Sequence, residues 1–230
     1  PYESVKRGQV GRLLRLMKAA NLTDLVIIGS IRERRLPRVS EIDWGGLWHV
    51  VRNIGLLRGG DDSALRRIAR VFAGLGLTIR GVGEVAPDFL ARPGVWGSVR
   101  PVPADLTDLK LAFAAAKELG RTDKGQGAIA RGGAVIATEA QAGTDAMLSA
   151  LPAGARGVLV KCLKPIQDPR LDLPALGPAT IENAAAAGLA GVAVEAGAAI
   201  VLDREAVIEA ADRLGLFVAG LAQGGELADT

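Results

Sequence analysis

Short apolar runs closed by glycine, proline or a charge constrain this chain more than any other feature. They are LVII at 25–28, LTIRGV at 77–82, VLVKCL at 158–163, GVAVE at 191–195 and LFVAG at 216–220. Runs this short have the length of strands, and an unalternated run such as LVII suits a parallel strand covered on both faces. Segments with helical spacing lie between them. Gln9 to Asn21 carries apolar residues at 10, 13, 14, 17 and 20, and SALRRIARVFAGLG follows at 63–76. Asp105 to Leu119 opens on Asp105 or Thr107 as a cap and closes at Gly120. Pro178 fits the first turn of ATIENAAAAG, and Asp203 caps REAVIEAADRLG. Alternation of this kind predicts an α/β fold.

The texture breaks between Val85 and Asp105, where PDFLARPGVWGSVRPVPAD holds four of the 11 prolines and shows no period. A linker is predicted there, with Trp96 covering a ligand or filling a domain interface. The domains are then 1–86, doubly wound in character, and 87–230, mixed α/β. Aromatic residues make up 3% of the chain, so the core must be aliphatic, and single-strand nucleic-acid binding lacks its stacking platforms. A net charge of +3 suits an anionic ligand or lipid surface and falls well short of a nucleic-acid footprint. The single cysteine, Cys162, excludes an internal disulfide and fits a reducing compartment. On its predicted strand it reads as a small buried residue. The apolar window 184–202 is broken only by Glu195 and reads as helix end, strand, turn and strand, not a membrane span. Residues after Leu221 read as a frayed tail.

Chemistry-bearing residues gather between Thr122 and Thr180. Gln126, Glu139, Gln141, Thr144, Asp145, Lys161, Lys164, Gln167, Asp168 and Asp172 recur there among glycines 125, 127, 132, 133, 143 and 177. Gly132 and Gly133 between AIAR and AVIAT predict a hairpin. Gly143, Thr144 and Asp145 open the helix AMLSAL, where amides and a hydroxyl can meet an anion. Each polar side chain also has a plain reading as a turn residue bonding nearby backbone. Upstream, IRERRLPR is either a solvated loop or a phosphate contact. Asp61 and Asp62 precede a helix; one suffices as its cap, leaving the other for a metal or sugar hydroxyl. His49 is the only histidine, so histidine-rich two-metal sites cannot form within this chain and hydrolysis must use carboxylates with a hard metal.

Several of these segments are similar to those of a known family. GQGAIARGGAVIATEAQAGTDAML (125–148), KPIQDPRLDLPALGPATI (164–181), AAGLAGVAVEAG (186–197), VLDREAVIEAADRLGLFV (201–218) and RGGDDSALRRIARVF (58–72) resemble the metal-dependent UDP-2,3-diacylglucosamine pyrophosphatases of lipid A biosynthesis. These are the enzymes of that step that are not calcineurin-like. The resemblance implies an N-terminal Rossmann-like domain, cleavage of the diphosphate to UMP and the diacylglucosamine 1-phosphate, and water attack on the phosphorus nearer the sugar. The family opens with a glycine-rich strand, helix and strand that have no counterpart before Gly8. The expectation is therefore a domain lacking its first βαβ piece, with an unpaired edge near LVII or another segment filling it.

Cleaving a phosphoanhydride requires neutralised phosphate charge, an aimed water and a stabilised leaving group. Asp172, in the LDLP loop that matches the family, is the expected catalytic residue and Mg²⁺ ligand, with Asp145, Glu139 and Asp62 as further metal ligands. Gly125, Gln126, Gly127, Gln141, Gly143, Thr144, Lys161, Lys164, Gln167 and Thr180 are the expected substrate-binding residues. The expected setting is cytoplasmic and peripheral to the inner membrane, as a homodimer with no nucleic-acid partner. Two other readings stand beside it: a non-catalytic lipid- or nucleotide-binding module, and a basic membrane-surface adaptor.

Overall fold

The computed structural model describes residues 2–6, 8–29, 43–44, 66, 69–70, 72–74, 76–152, 154 and 156–227. The chain forms two compact units, Pro1–Gly81 and Val82–Thr230. In the first, the periodic segment at the start gives helix α1, Val10–Ala19. Its first turn is capped from a distance: the Asp43 carboxylate accepts from Gly11 N at 3.1 Å and Arg12 N at 2.8 Å. Strand β1, Asp24–Val26, pairs in parallel with β2, Thr78–Arg80. Arg80 Nε bonds Asp24 Oδ1 across the pair at 2.7 Å. Ile28 is exposed, so the cover expected on both faces of LVII is not seen among the described residues. His49, Asp61, Asp62 and the IRERRLPR run lie outside the described residues.

The second unit is built on six strands. These are β3 (Gly94–Trp96), β4 (Gly127–Arg131), β5 (Ala134–Thr138), β6 (Val158–Lys161), β8 (Gly191–Glu195) and β10 (Phe217–Leu221), in the order β3-β10-β8-β6-β4-β5. The central three, β10, β8 and β6, run parallel. β3 pairs antiparallel to β10, and β4 antiparallel to both β6 and β5. A small parallel pair, β7 (Ala175–Leu176) with β9 (Ile200–Val201), lies apart from this sheet.

Because side chains alternate across a strand, the apolar runs feed two cores. Ala128, Ala130, Val158, Val160, Ala193 and Ala219 face helix α2, Pro103–Arg121, and pack against its Leu109, Ala112, Phe113 and Ala116. Small residues on this face leave room for Phe113 and Phe217. Ile129, Leu159, Val192, Val194 and Val218 face the other way. There they meet α3 (Gly143–Ser149), α4 (Pro178–Ala186) and α5 (Arg204–Leu214) through Met147, Ile181, Ala184, Val207 and Ala211. Each large side chain so buried contributes roughly 1.5–3 kcal/mol, so a low aromatic content is no obstacle to a mixed α/β core.

The hairpin forms as expected. Gly132 and Gly133 take φ of 58° and 79°, the conformation a two-residue turn between strands demands. Their N–H groups both donate to the buried Asp108 carboxylate, at 2.8 and 2.7 Å. Three expectations are corrected. The proline-rich stretch after Val85 is no bare linker: it follows a helical turn at Val82–Val85 and contains a 3-10 turn at Pro87–Phe89 and the edge strand β3. Trp96 is core, 7% exposed, with Nε1 donating to Arg92 O. The segment after Leu221 turns back, Ala222 N donating to Glu226 O at 2.8 Å and Leu227 bridging Leu221.

β3 joins the sheet only because Gly220 has no side chain: a Cβ there would lie 1.9 Å from the Arg92 carbonyl oxygen. Gly220→Ala must push β3 off β10 and is expected to cost about 2–3 kcal/mol in urea unfolding. A loss below about 0.5 kcal/mol, the range of a neutral surface change, contradicts this packing.

Candidate functional site

In parallel α/β sheets ligands bind beyond the carboxyl ends of the strands. Here β6 ends on Lys161, β8 on Glu195, and antiparallel β4 begins beside them, Gly127 opposite Lys161. Two groups of polar residues form at this edge.

The first is organised by Glu139, which is 7% exposed. Its Oε2 accepts from Gln126 N and its Oε1 from Thr144 Oγ1, both at 2.8 Å. One carboxylate thus joins the entry to β4 and the start of α3. The Thr144 hydroxyl, expected to meet an anion directly, is committed to this carboxylate. Gly125 allows the approach, since a Cβ there would lie 2.6 Å from the Glu139 carbonyl oxygen. Gln126 Oε1 is buried and has no hydrogen-bond partner among the described residues. Lys161 is 7% exposed, its Nζ donating to Ala175 O at 2.7 Å. Burial pushes its pKa down, and the nearby Glu139 and Asp145 carboxylates pull it back up. Asp145 itself is exposed and accepts from Asn183 Nδ2 at 3.0 Å.

The second group is the loop from Leu163 to Gly177. Its start is fixed by Glu195, whose carboxylate accepts from Leu163 N at 3.1 Å and from Lys117 Nζ at 2.6 and 2.8 Å. Lys117 also donates to Leu163 O at 3.0 Å. Lys164 Nζ pairs with Asp123 Oδ1 at 2.7 Å. Buried Gln167 accepts from Lys164 N through Oε1 and donates from Nε2 to Asp172 Oδ2. Asp172 is exposed. Asp168 is gripped by Arg170, Nη2 to Oδ2 at 2.7 Å and Nε to Oδ1 at 3.0 Å. The loop's far end is tied to the first group through Lys161 and Ala175.

The structure therefore gathers Gln126, Glu139, Thr144, Asp145 and Lys161 on one side, and Lys164, Gln167 and Asp172 on the other. Gln141 is exposed before α3, Gly143 opens that helix at φ 87°, and half-buried Thr180 sits in the first turn of α4. Asp62 lies outside the described residues. Cys162 is buried as expected, and that burial raises its thiol pKa. Sequence reasoning missed Lys117, Asp123 and Asn183. A lone charge in an apolar run was the available signal for Glu195, but its lysine is 78 residues away. Among the described residues no three His, Cys, Asp or Glu side chains converge to hold a metal ion by themselves.

The family model described as LpxI C-terminal domain matches residues 92–219, and that described as LpxI N-terminal domain matches residues 1–89. A curated relative from Caulobacter vibrioides, UDP-2,3-diacylglucosamine pyrophosphatase LpxI, is 42% identical over 233 aligned positions, covering 96% of this chain and 82% of the relative. The chain belongs to the LpxI family. The site loop and both polar groups fall within the matched C-terminal domain or its immediate packing. Among the described residues no helix is long and apolar enough to cross a membrane.

Removing one partner of a buried ion pair leaves the other charge stranded, which typically costs 3–5 kcal/mol. Lys117 keeps 22% side-chain exposure, so Glu195→Ala is expected near the lower figure, about 3 kcal/mol in urea unfolding. A change below about 1 kcal/mol, the range of exposed pairs, would show the pair to be a surface contact.

Proposed function

We propose that this chain hydrolyses the diphosphate of UDP-2,3-diacylglucosamine to UMP and 2,3-diacylglucosamine 1-phosphate. The observation that carries the reading is the 42% identity, over nearly all of this chain, to a pyrophosphatase named for that substrate. The site chemistry supports it. An exposed carboxylate, Asp172, stands on a loop tied down at both ends, and the neighbouring group around Glu139 holds a buried amide oxygen, Gln126 Oε1, that lacks a donor. An orphaned acceptor of this kind is costly until a ligand N–H or O–H meets it.

The donor set also fits a hard cation shared with substrate. Mg²⁺ needs one or two carboxylates and takes the rest of its shell from water and phosphate oxygens. Asp172, or Asp145 with Glu139, are the described carboxylates that would hold it. Bound there, Mg²⁺ neutralises diphosphate charge and makes a water more acidic. The chain's own residues do the remaining work. Asp172 takes the proton of the attacking water as its oxygen bonds to the phosphorus nearer the sugar. The bond from that phosphorus to the bridging oxygen breaks, and UMP leaves with the electron pair. Lys164 and Lys161 place positive charge beside the phosphates as point charges. Gln126, Gln141, Thr144 and Thr180 bind uracil, ribose or sugar.

A cavity of about 430 Å³ is lined by Ile136, Met147, Leu151 and Pro152, and by Ala140 and Gly143, the chain neighbours of Glu139 and Thr144. It continues the polar site into apolar surface, as one acyl chain of this substrate requires. Such a lipid is drawn from a bilayer, so the enzyme works peripherally at the inner membrane from the cytoplasmic side. The net charge of +3 supports that seat. The exposed, uncharged Val135 and Ile136 on edge strand β5 support pairing with a second copy.

Incubating the purified chain with the lipid nucleotide in heavy-oxygen water tests the reaction. UMP release is expected to stop with chelator and return with Mg²⁺, and the label to appear in the sugar-lipid phosphate. Label in UMP overturns the direction of attack. Tight binding of the lipid nucleotide with no metal-dependent UMP would leave the non-catalytic module. Binding that follows only basic charge, collapsing steeply with salt, would leave the adaptor.

A further inference from the structure

Gln167 is 7% exposed within a loop whose neighbours Pro165, Ile166, Pro169 and Arg170 are exposed. A buried primary amide needs partners for both its ends, and this one finds them inside the loop. Oε1 accepts from the Lys164 backbone N–H at 3.3 Å, which fixes which end of the amide is the donor. Nε2 donates to Asp172 Oδ2. The polar ends that sequence reasoning gave to substrate are therefore used between the Lys164 backbone and the Asp172 carboxylate. The loop's path is already set at both ends, by Glu195 on Leu163 N and by Lys161 on Ala175 O. A further tie between them adds little to where the loop runs. It does fix the direction in which the Asp172 carboxylate points, since a donor on one oxygen selects one rotamer of an otherwise exposed side chain.

Resting on the reading of Asp172 above, we infer that Gln167 is a positioning residue: its Nε2–H holds the Asp172 carboxylate in the orientation that the reaction uses. An aligned base matters because an error of about 1 Å in a reacting group can cost roughly a hundredfold in rate. Gln167 touches neither substrate nor metal, and it acts through Asp172 alone.

The test compares Gln167→Met, Gln167→Glu and Asp172→Ala, singly and combined, in steady-state UMP release by the full chain. Gln167→Glu keeps an oxygen for the Lys164 N–H and replaces the donor to Asp172 by a carboxylate oxygen that repels it. Gln167→Met keeps the length and removes both contacts. Both are expected to lower kcat about 10- to 100-fold, with KM within about threefold of the parent, because the lost contact serves the transition state. In the Asp172→Ala background neither is expected to lower the rate further, since residues acting as one unit are not additive. Should Gln167→Met not fold, Gln167→Glu carries the comparison. Parental kcat in Gln167→Glu, beside an inactive Asp172→Ala, overturns the inference alone, leaving Gln167 a latch on Lys164. A raised KM at unchanged kcat overturns it in favour of substrate binding, and an additive loss in the double variant overturns it in favour of a general structural role. Full activity of Asp172→Ala overturns the reading of Asp172, and this inference with it.

Discussion

The Glu195 carboxylate decides where the sheet ends and the site begins. It closes β8, accepts two bonds from Lys117 on α2, and holds Leu163 N where β6 gives way to the site loop. At 5% exposure it would be a costly charge without that lysine, and the pair would in turn be weak without the backbone donor that completes it. Three elements are thus tied at one point: the helix on one face, the central strand, and the segment carrying Asp172. The Lys117 ammonium also lies 5.5 Å from the Phe113 ring centroid, coupling the polar node to the core beneath α2.

From that node the site divides its labour by burial. Glu139, Lys161 and Gln167 are buried and make hydrogen bonds within the protein. Asp172 and Asp145 are exposed. In the proposed reaction the buried groups hold the frame while Asp172 takes the proton of water, which suits phosphoanhydride cleavage, where positioning and charge do nearly everything. Two buried side-chain atoms among the described residues lack a hydrogen-bond partner, Arg204 Nε and Gln126 Oε1, and the second belongs to the group around Glu139.

Much of this was legible in the residues because the signals were local. VLVKCL, GVAVE and LFVAG became the three parallel strands, and Gly132-Gly133 became a hairpin turn because two positive φ angles leave few alternatives. Pro178 opened α4 and Asp203 capped α5, its Oδ1 accepting from Ala206 N. What escaped was set by distant partners. β3 is three residues among prolines and glycines, and it is a strand only because β10 lies beside it. Trp96 gave no sign of which core it would join. The Asp43 cap on α1 and the two glycine N–H groups on Asp108 span 24 to 32 residues. In the site, the types of residue were readable and their assignments were not. Nothing in the sequence shows that Thr144 donates to Glu139 or that Gln167 donates to Asp172.

The most direct test of this account separates binding from chemistry at Asp172. Single-turnover UMP release with enzyme in excess, beside equilibrium binding of the lipid nucleotide, measures the two steps independently for the parent and Asp172→Asn. The account predicts that affinity stays within about threefold while the chemical step slows by roughly 10²–10⁴, the range expected for removing a general base. A chemical step within about tenfold of the parent, or a loss carried by affinity alone, would contradict it.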